Sequence, residues 1–419
     1  MQRGVRRYFL NSLWLLGEQA FRMLAGFAVG VYVARYLGAS QYGSLSYAFA
    51  FVAMFSALAR LGLDSVVVRR LVTEPSRREA VLGTAFWLRV GAALLALAAV
   101  AAAVGATSAS ASERLYVLIV ACGLMVQAFD VLDLDLQARA LSRTSALCRA
   151  WQTVVSSVAK VALVIAQAEL IAFAAVALLD QLALVLALML SRRRAGGLAF
   201  IRRFDPKVVP ELLRAAAPLL ASGLMIGVYA RIDQVLVMEM LGARAVGLYA
   251  VAVGLTEALY TVPLAVATAF FPALLAVRDQ GRLYQARWSM LYRGLLAFGV
   301  AAALALSLAS GAIVRLFYGA GFAEAGPLLA VQSWTLVLIC YSAVFGKWLL
   351  AEGLQGLLPR MTFVALATNV AAILLLAPAL GLIGVAYATL LTQLVPWLLF
   401  FSIDARLRAH LRRALLPAG

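Results

Sequence analysis

Histidine is almost missing from this chain. The sole copy, His410, sits in a basic C-terminal stretch. One imidazole cannot build a histidine-based zinc site, and its place in the tail removes the base that a Ser–His or Cys–His triad needs. Cysteine is nearly as scarce. Cys122, Cys148 and Cys340 fall in or beside apolar stretches, so no disulfide framework is implied. Charge is thin as well: Asp, Glu, Lys and Arg make up 13% of the residues, about half the ~25% of a soluble domain. Acidic residues are the scarcer sign, 19 against 36 basic. Neither metal nor cofactor is called for by these residues.

What fills the chain instead is hydrocarbon. Apolar residues reach 64% and the mean hydropathy is +0.95. A bilayer core of ~30 Å needs about 20 apolar residues per helix. Twelve stretches meet that length: 9–34, 43–63, 82–105, 114–136, 150–167, 171–190, 214–240, 247–274, 293–315, 327–346, 361–378 and 382–403. With the N-terminus inside, 27 of the 36 basic residues face the inner side, four face outside (Arg35, Arg114, Arg244, Arg315) and five lie within spans. This positive-inside asymmetry places both termini in the cytoplasm. The net charge of +17 is therefore a topology signal and not a nucleic-acid footprint. Glu18, Gln19 and Arg22 interrupt the first apolar run, which reads as a span and not as a cleavable signal.

Loops are short, so there is no room for an extracytoplasmic domain. The one internal boundary is a basic segment, 191–211, with Arg192-Arg193-Arg194, Arg202-Arg203 and Pro206. It separates an N-terminal lobe, 1–190, from a C-terminal lobe, 212–403, followed by a basic tail, 404–419. The lobes look duplicated. Leu37-Gly38-Ala39 with Gly43 and Leu241-Gly242-Ala243 with Gly247 share the pattern Leu-Gly-Ala-x-x-x-Gly at an offset of 204, and both fall at the outer turn between the first and second spans of their lobe. Glycine suits a turn that ends one helix and opens the next. The expected fold is an all-α polytopic membrane protein: two six-helix lobes related by a pseudo-two-fold axis along the membrane normal.

Two segments carry a family resemblance. The stretch from Arg35-Tyr36-Leu37-Gly38-Ala39-Ser40-Gln41-Tyr42-Gly43 through Ala59-Arg60-Leu61-Gly62-Leu63-Asp64 to Arg69-Arg70 resembles the opening of polysaccharide-repeat flippases, within the multidrug/oligosaccharidyl-lipid/polysaccharide exporter superfamily. Leu316-Phe317-Tyr318-Gly319-Ala320-Gly321-Phe322-Ala323-Glu324-Ala325-Gly326-Pro327 is similar to that family's connection between ninth and tenth spans. The resemblance implies a V-shaped pair of lobes around a central cavity. It also implies movement of an undecaprenyl-diphosphate-linked oligosaccharide to the outer leaflet by a monomer that works beside polysaccharide polymerase machinery. The alternative is a multidrug or cation antiporter of the same superfamily, which wants a dominant intramembrane carboxylate. A membrane enzyme is not expected, for want of a large extracytoplasmic loop.

An anionic headgroup crossing hydrocarbon needs cations at depth, and intramembrane charges are functional by default. Arginine suits diphosphate because its planar fork donates two parallel hydrogen bonds. Arg22, near the middle of the first span with Glu18 one turn earlier, leads the candidates. Arg231 and Asp233 mark the seventh span and cannot share a helix face. Lys160 and Asp180, at matching depths in the fifth and sixth spans, read either as a cross-helix salt bridge or as a cavity cation beside a carboxylate with a coupling-ion or proton role. Glu257, in the eighth span, reads as a protonated side chain, a partner for Arg22 or Arg231, or an ion-coupling site. Arg60 and Arg89 have snorkelling as a sufficient explanation, and Lys347 borders a cytoplasmic connection where a headgroup could enter. Asp130, Asp133 and Asp135 are expected to join an interfacial network with nearby arginines.

Overall fold

The computed structural model describes residues 2–192, 197–408 and 410, with side chains at Trp14 and from Gly17 onward. Arg193, Arg194 and the tail beyond 410 lie outside the described residues, as do the side chains of Arg3, Arg6 and Arg7. Among the described residues every regular element is helical. The helices are α1 (Gln2–Arg60), α2 (Asp64–Thr73), α3 (Arg78–Gly105), α4 (Ala111–Val126), α5 (Val131–Ala138), α6 (Ser142–Ile165) and α7 (Leu170–Arg192). They are followed by α8 (Val209–Tyr229), α9 (Ile232–Leu275), α10 (Gly281–Tyr318), α11 (Ala325–Gln332), α12 (Thr335–Ala351), α13 (Leu357–Leu380) and α14 (Leu382–Ile403).

Ten helical segments are long and apolar enough to cross a membrane. Two of them, of 57 and 67 residues, are far longer than one crossing needs. Each is broken by a glycine. Gly38 inside α1 takes φ 70°, ψ 172°, and Gly242 inside α9 takes φ 81°, ψ 176°. This backbone region is open essentially to glycine alone. Residues before and after Gly38 line one cavity, so the two arms of α1 lie side by side as two spans. Splitting both long segments at their glycines yields the twelve expected crossings. The same conformation, 204 residues apart, makes the short sequence repeat a structural one.

A second pair of breaks went unread in the sequence. The stretch 114–136 is interrupted by a 3₁₀ turn, Gln127–Asp130, between α4 and α5. Its counterpart at the 204-residue offset is the break at Ser333 and Trp334 between α11 and α12. The seventh stretch, expected to run unbroken over 214–240, is interrupted at Ala230 and Arg231 between α8 and α9.

The chain divides into two compact units, 1–231 and 232–419, so α8 groups with the first. The core of the first unit gathers Leu63, Val67, Leu82, Phe86, Leu132, Leu188 and Leu212, and it includes Phe200 from the basic segment. That segment is strapped to α3. Phe200 is fully buried, Trp87 Nε1 donates to Ile201 O at 2.9 Å, and Asp205 N donates to Thr84 Oγ1 at 3.0 Å. The second unit has an aromatic core of Trp288, Tyr292, Tyr341, Phe345 and Trp348. Packing therefore accounts for Trp288, Tyr292 and Tyr341, which are all buried.

Charges at the inner end of the first unit form a buried network. Asp135 receives Arg78 Nε at 2.6 Å and Arg192 Nη1 at 2.7 Å, and Arg139 Nη2 lies 3.3 Å away. Arg192 continues to Glu79 at 2.5 Å. Asp133 accepts from Arg149 Nη2 at 2.6 Å and from Ser145. The expected network forms at Asp133 and Asp135, though its principal cations come from α3, α6 and α7 and not from the adjacent loop; Asp130 is not drawn into it, and its buried Oδ1 has no hydrogen-bond partner among the described residues.

Candidate functional site

A cavity of about 470 Å³ opens within the first unit, bounded by both arms of α1, by α6 and by α7. Its α1 walls run from Arg22 through Gly26, Val29, Gly30 and Val33, then back through Tyr42, Leu45, Ser46 and Phe49. Gly26 and Gly30 have nothing within 4 Å of the position a Cβ would take, so the wall stays open there. The α6 wall is a polar stripe at helical spacing: Gln152, Ser156 and Lys160, flanked by Thr153 and Ser157. Residues four apart stack on one helix face, which places two polar groups and a cation above one another. Asp180 and Gln181 of α7 complete the lining.

Three of the sequence candidates, Arg22, Lys160 and Asp180, thus meet in one cavity. Arg22 Nε lies 3.3 Å from Glu18 Oε1, and the Arg22 side chain is 49% exposed while that of Glu18 is 6% exposed. The terminal nitrogens of the Arg22 fork make no hydrogen bond or ion pair among the described residues. Glu18 itself lines a separate, apolar recess of about 510 Å³ with Trp14, Phe21, Ala146 and Leu147. Its carboxylate holds the inner edge of the guanidinium and leaves the outer edge to the cavity.

No carboxylate oxygen of the described residues lies within 4.0 Å of Lys160. Asp180 instead accepts a hydrogen bond from Gln152 Nε2 at 2.9 Å. The close salt bridge between Lys160 and Asp180, one of the two readings of the pair, does not form; what remains is a longer-range attraction within the cavity. Depth follows from one contact. Tyr36 Oη donates to Ala168 O at 3.0 Å, which ties the far end of the first α1 arm to the turn after α6. At 1.5 Å per residue, Arg22 lies about 21 Å along the helices from that bond and Lys160 about 12 Å. The cavity therefore holds two cations at different depths.

The other candidates lie elsewhere. Asp233, at the start of α9, accepts from Tyr249 Oη at 2.7 Å and from Gln234 N at 2.8 Å. Tyr249 also pairs with Thr389 at 3.1 Å. Arg231 is half-buried at the turn that closes the first unit, and Glu257 is half-buried in α9. None of the three lines the α1–α6–α7 cavity. Arg60 is exposed at the end of α1. Arg89 corrects its expectation: it does not snorkel but is 1% exposed and ion-paired to Asp64 of α2. Asp64, one turn from Arg60 in sequence, is drawn to Arg89 because a fully buried guanidinium needs a counter-charge more than an exposed one does. Lys347 sits over the Phe271 ring at 5.6 Å, within the second unit. The sequence reading missed Gln152, Ser156, Ser157 and Gln181. A signal was there, the i, i+4, i+8 recurrence of polar residues through 152, 156 and 160, but charge alone was followed.

Comparison with known proteins adds the family. Residues 9–277 match the family described as polysaccharide biosynthesis protein. A stretch of 170 residues is 28% identical to a probable flippase, AglR, of Haloferax volcanii, covering 39% of this chain and 36% of that relative. Among solved structures, an inward-facing multidrug resistance MATE family transporter of the MOP superfamily matches with a TM-score of 0.74 at 16% identity, over 93% of this chain and 96% of the other. The lipid II flippase MurJ, in an inward closed conformation, matches with a TM-score of 0.74 at 13% identity, over 97% and 90%. A MOP superfamily transporter from Pyrococcus furiosus matches at 0.61 and 15% identity, over 95% of each chain. These likenesses establish the fold. With a glycine-broken pair of long helices and a cation-bearing cavity in its first unit, this chain belongs to the polysaccharide biosynthesis protein family and has the fold of the MOP superfamily transporters.

Proposed function

We propose that the protein is a flippase. It carries an undecaprenyl-diphosphate-linked oligosaccharide from the cytoplasmic to the outer leaflet of the bacterial inner membrane by alternating access, and it hands that intermediate to polysaccharide polymerase machinery. The observation that carries the reading is Arg22 at the cavity wall. Its guanidinium is held by one carboxylate at Nε, is 49% exposed and has no other hydrogen bond or ion pair among the described residues, so its terminal nitrogens can grip phosphate bidentately. The tail needs no such path, because it can stay in lipid while the head crosses. The topology on which this direction rests, with both termini cytoplasmic, follows from the basic loops. Arg231, at the end of the first unit, and Asp233 and Glu257, in the second, belong to this proposal only as further contributors.

A second reading, a multidrug or cation antiporter, draws on Asp180, a carboxylate in the same cavity, and on the likeness of fold to a MATE transporter. Two cations line the cavity against that one carboxylate, and Asp180 is already engaged by Gln152. The balance favours an anionic substrate. The test is Arg22→Ala at normal membrane abundance. Loss of two charge-assisted hydrogen bonds, roughly 1.5–3 kcal/mol each, should cut transport by about a hundredfold or more. Surface polysaccharide should vanish while lipid-linked intermediate accumulates inside. Export at the wild-type level would remove Arg22 from the path, and transport of an organic cation that depends on Asp180 would favour the antiporter.

A further inference from the structure

A diphosphate gripped by Arg22 leaves most of the cavity unused, and the unused part has its own chemistry. Lys160 lies about 9 Å nearer than Arg22 to the contact between Tyr36 and Ala168, counting 1.5 Å per residue from it. A diphosphate is shorter than that gap. Between the two cations the wall carries Ser156, Ser157 and Gln181, with Gln152 level with Arg22 or just beyond it. Ser156 is 4% exposed, yet its Oγ has no hydrogen-bond partner among the described residues. Buried hydroxyls are ordinarily satisfied, so this one awaits a polar group that enters the cavity.

We infer that the α6 wall is a glycan-reading subsite, in which the amides and hydroxyls take sugar hydroxyls and Lys160 takes a carboxylate carried on one of the sugars. The preferred oligosaccharide is then an acidic one. This deepens the flippase reading and rests on it. Reach selects a carboxylate over the diphosphate itself: Lys160 lies about 9 Å beyond Arg22, so the anion that meets it is carried on a sugar, where a carboxylate is the simplest acidic group. The lysine is also not consumed by the protein, because Asp180 receives its hydrogen bond from Gln152.

The experiment uses the full-length protein in lipid nanodiscs and ligand-observed NMR. Three probes are titrated: a disaccharide with one glucuronate, its carboxyl-reduced neutral counterpart, and inorganic pyrophosphate. Wild type should bind the glucuronate disaccharide about tenfold more tightly than the neutral one, the equivalent of one charge-assisted contact. Lys160→Gln should abolish that preference, and Lys160→Arg should restore most of it. Arg22→Ala should weaken pyrophosphate and leave the sugar preference intact. Ser156→Ala should weaken both disaccharides alike. Equal binding of the two disaccharides by wild type overturns the inference with no variant needed. Loss of pyrophosphate binding in Lys160→Gln as large as in Arg22→Ala also overturns it, since Lys160 would then be a second station for the head. Either outcome leaves the flippase reading standing, because that reading falls only if Arg22→Ala exports normally.

Discussion

Replacing Gly83 by alanine should loosen the basic segment from the first unit. A Cβ at position 83 would lie 2.2 Å from Phe200 O and 2.6 Å from Arg203 O. Both are backbone atoms, so no flexible side chain can swing aside. The segment must retreat as a body, and three contacts go with it. The Trp87 bond to Ile201 O and the Thr84 bond to Asp205 N are each worth about 0.5–1.5 kcal/mol. Phe200, now fully buried beneath Phe86, contributes about 1.5–3 kcal/mol when completely covered. The loss should total roughly 3–5 kcal/mol for the docked segment, allowing for partial relaxation. Hydrogen exchange read over residues 198–209 of the purified protein should rise by two orders of magnitude or more, with a lower thermal midpoint. Gly91→Ala is the control, since it lies in the same helix with nothing within 4 Å of its Cβ position. If the two variants exchange alike over 198–209, the close approach of this segment to α3 is wrong.

Two further perturbations probe charge and backbone. Asp64→Ala strands Arg89, which is 1% exposed. The penalty should fall at the lower end of the roughly 3–5 kcal/mol for a broken buried pair, because Asp64 is itself 50% exposed. Thermal unfolding should show that loss, and Arg89→Met should be milder because it removes the buried charge outright; the reverse order would refute the pairing. Gly38→Ala and Gly242→Ala each force a side chain into a backbone region costing roughly 1–3 kcal/mol. Neither position has atoms within 4 Å of a new Cβ, so the penalty is conformational and should be equal at the two sites. Unequal losses in thermal midpoint would break the proposed equivalence of the two turns.

Composition and charge placement alone determined that this chain is a bundle of apolar helices whose basic residues fall mostly in the connections. Those properties are set residue by residue: hydrocarbon length and the location of cations are readable without knowing which helix touches which. The internal repeat was legible for a related reason, since a backbone region open almost only to glycine must leave glycine behind at Gly38 and Gly242. Partnership was not legible. Asp64 pairs with Arg89 and not with Arg60, and Asp180 takes Gln152 and not Lys160. The tertiary structure decided these, because hydrogen bonds depend on distances of tenths of an ångström between helices far apart in sequence. It also decided that Arg22, Lys160 and Asp180 share one wall-to-wall space while Asp233 and Glu257 do not. A helix can be recognised from its own residues, whereas a cavity exists only where several helices fail to fill the space between them.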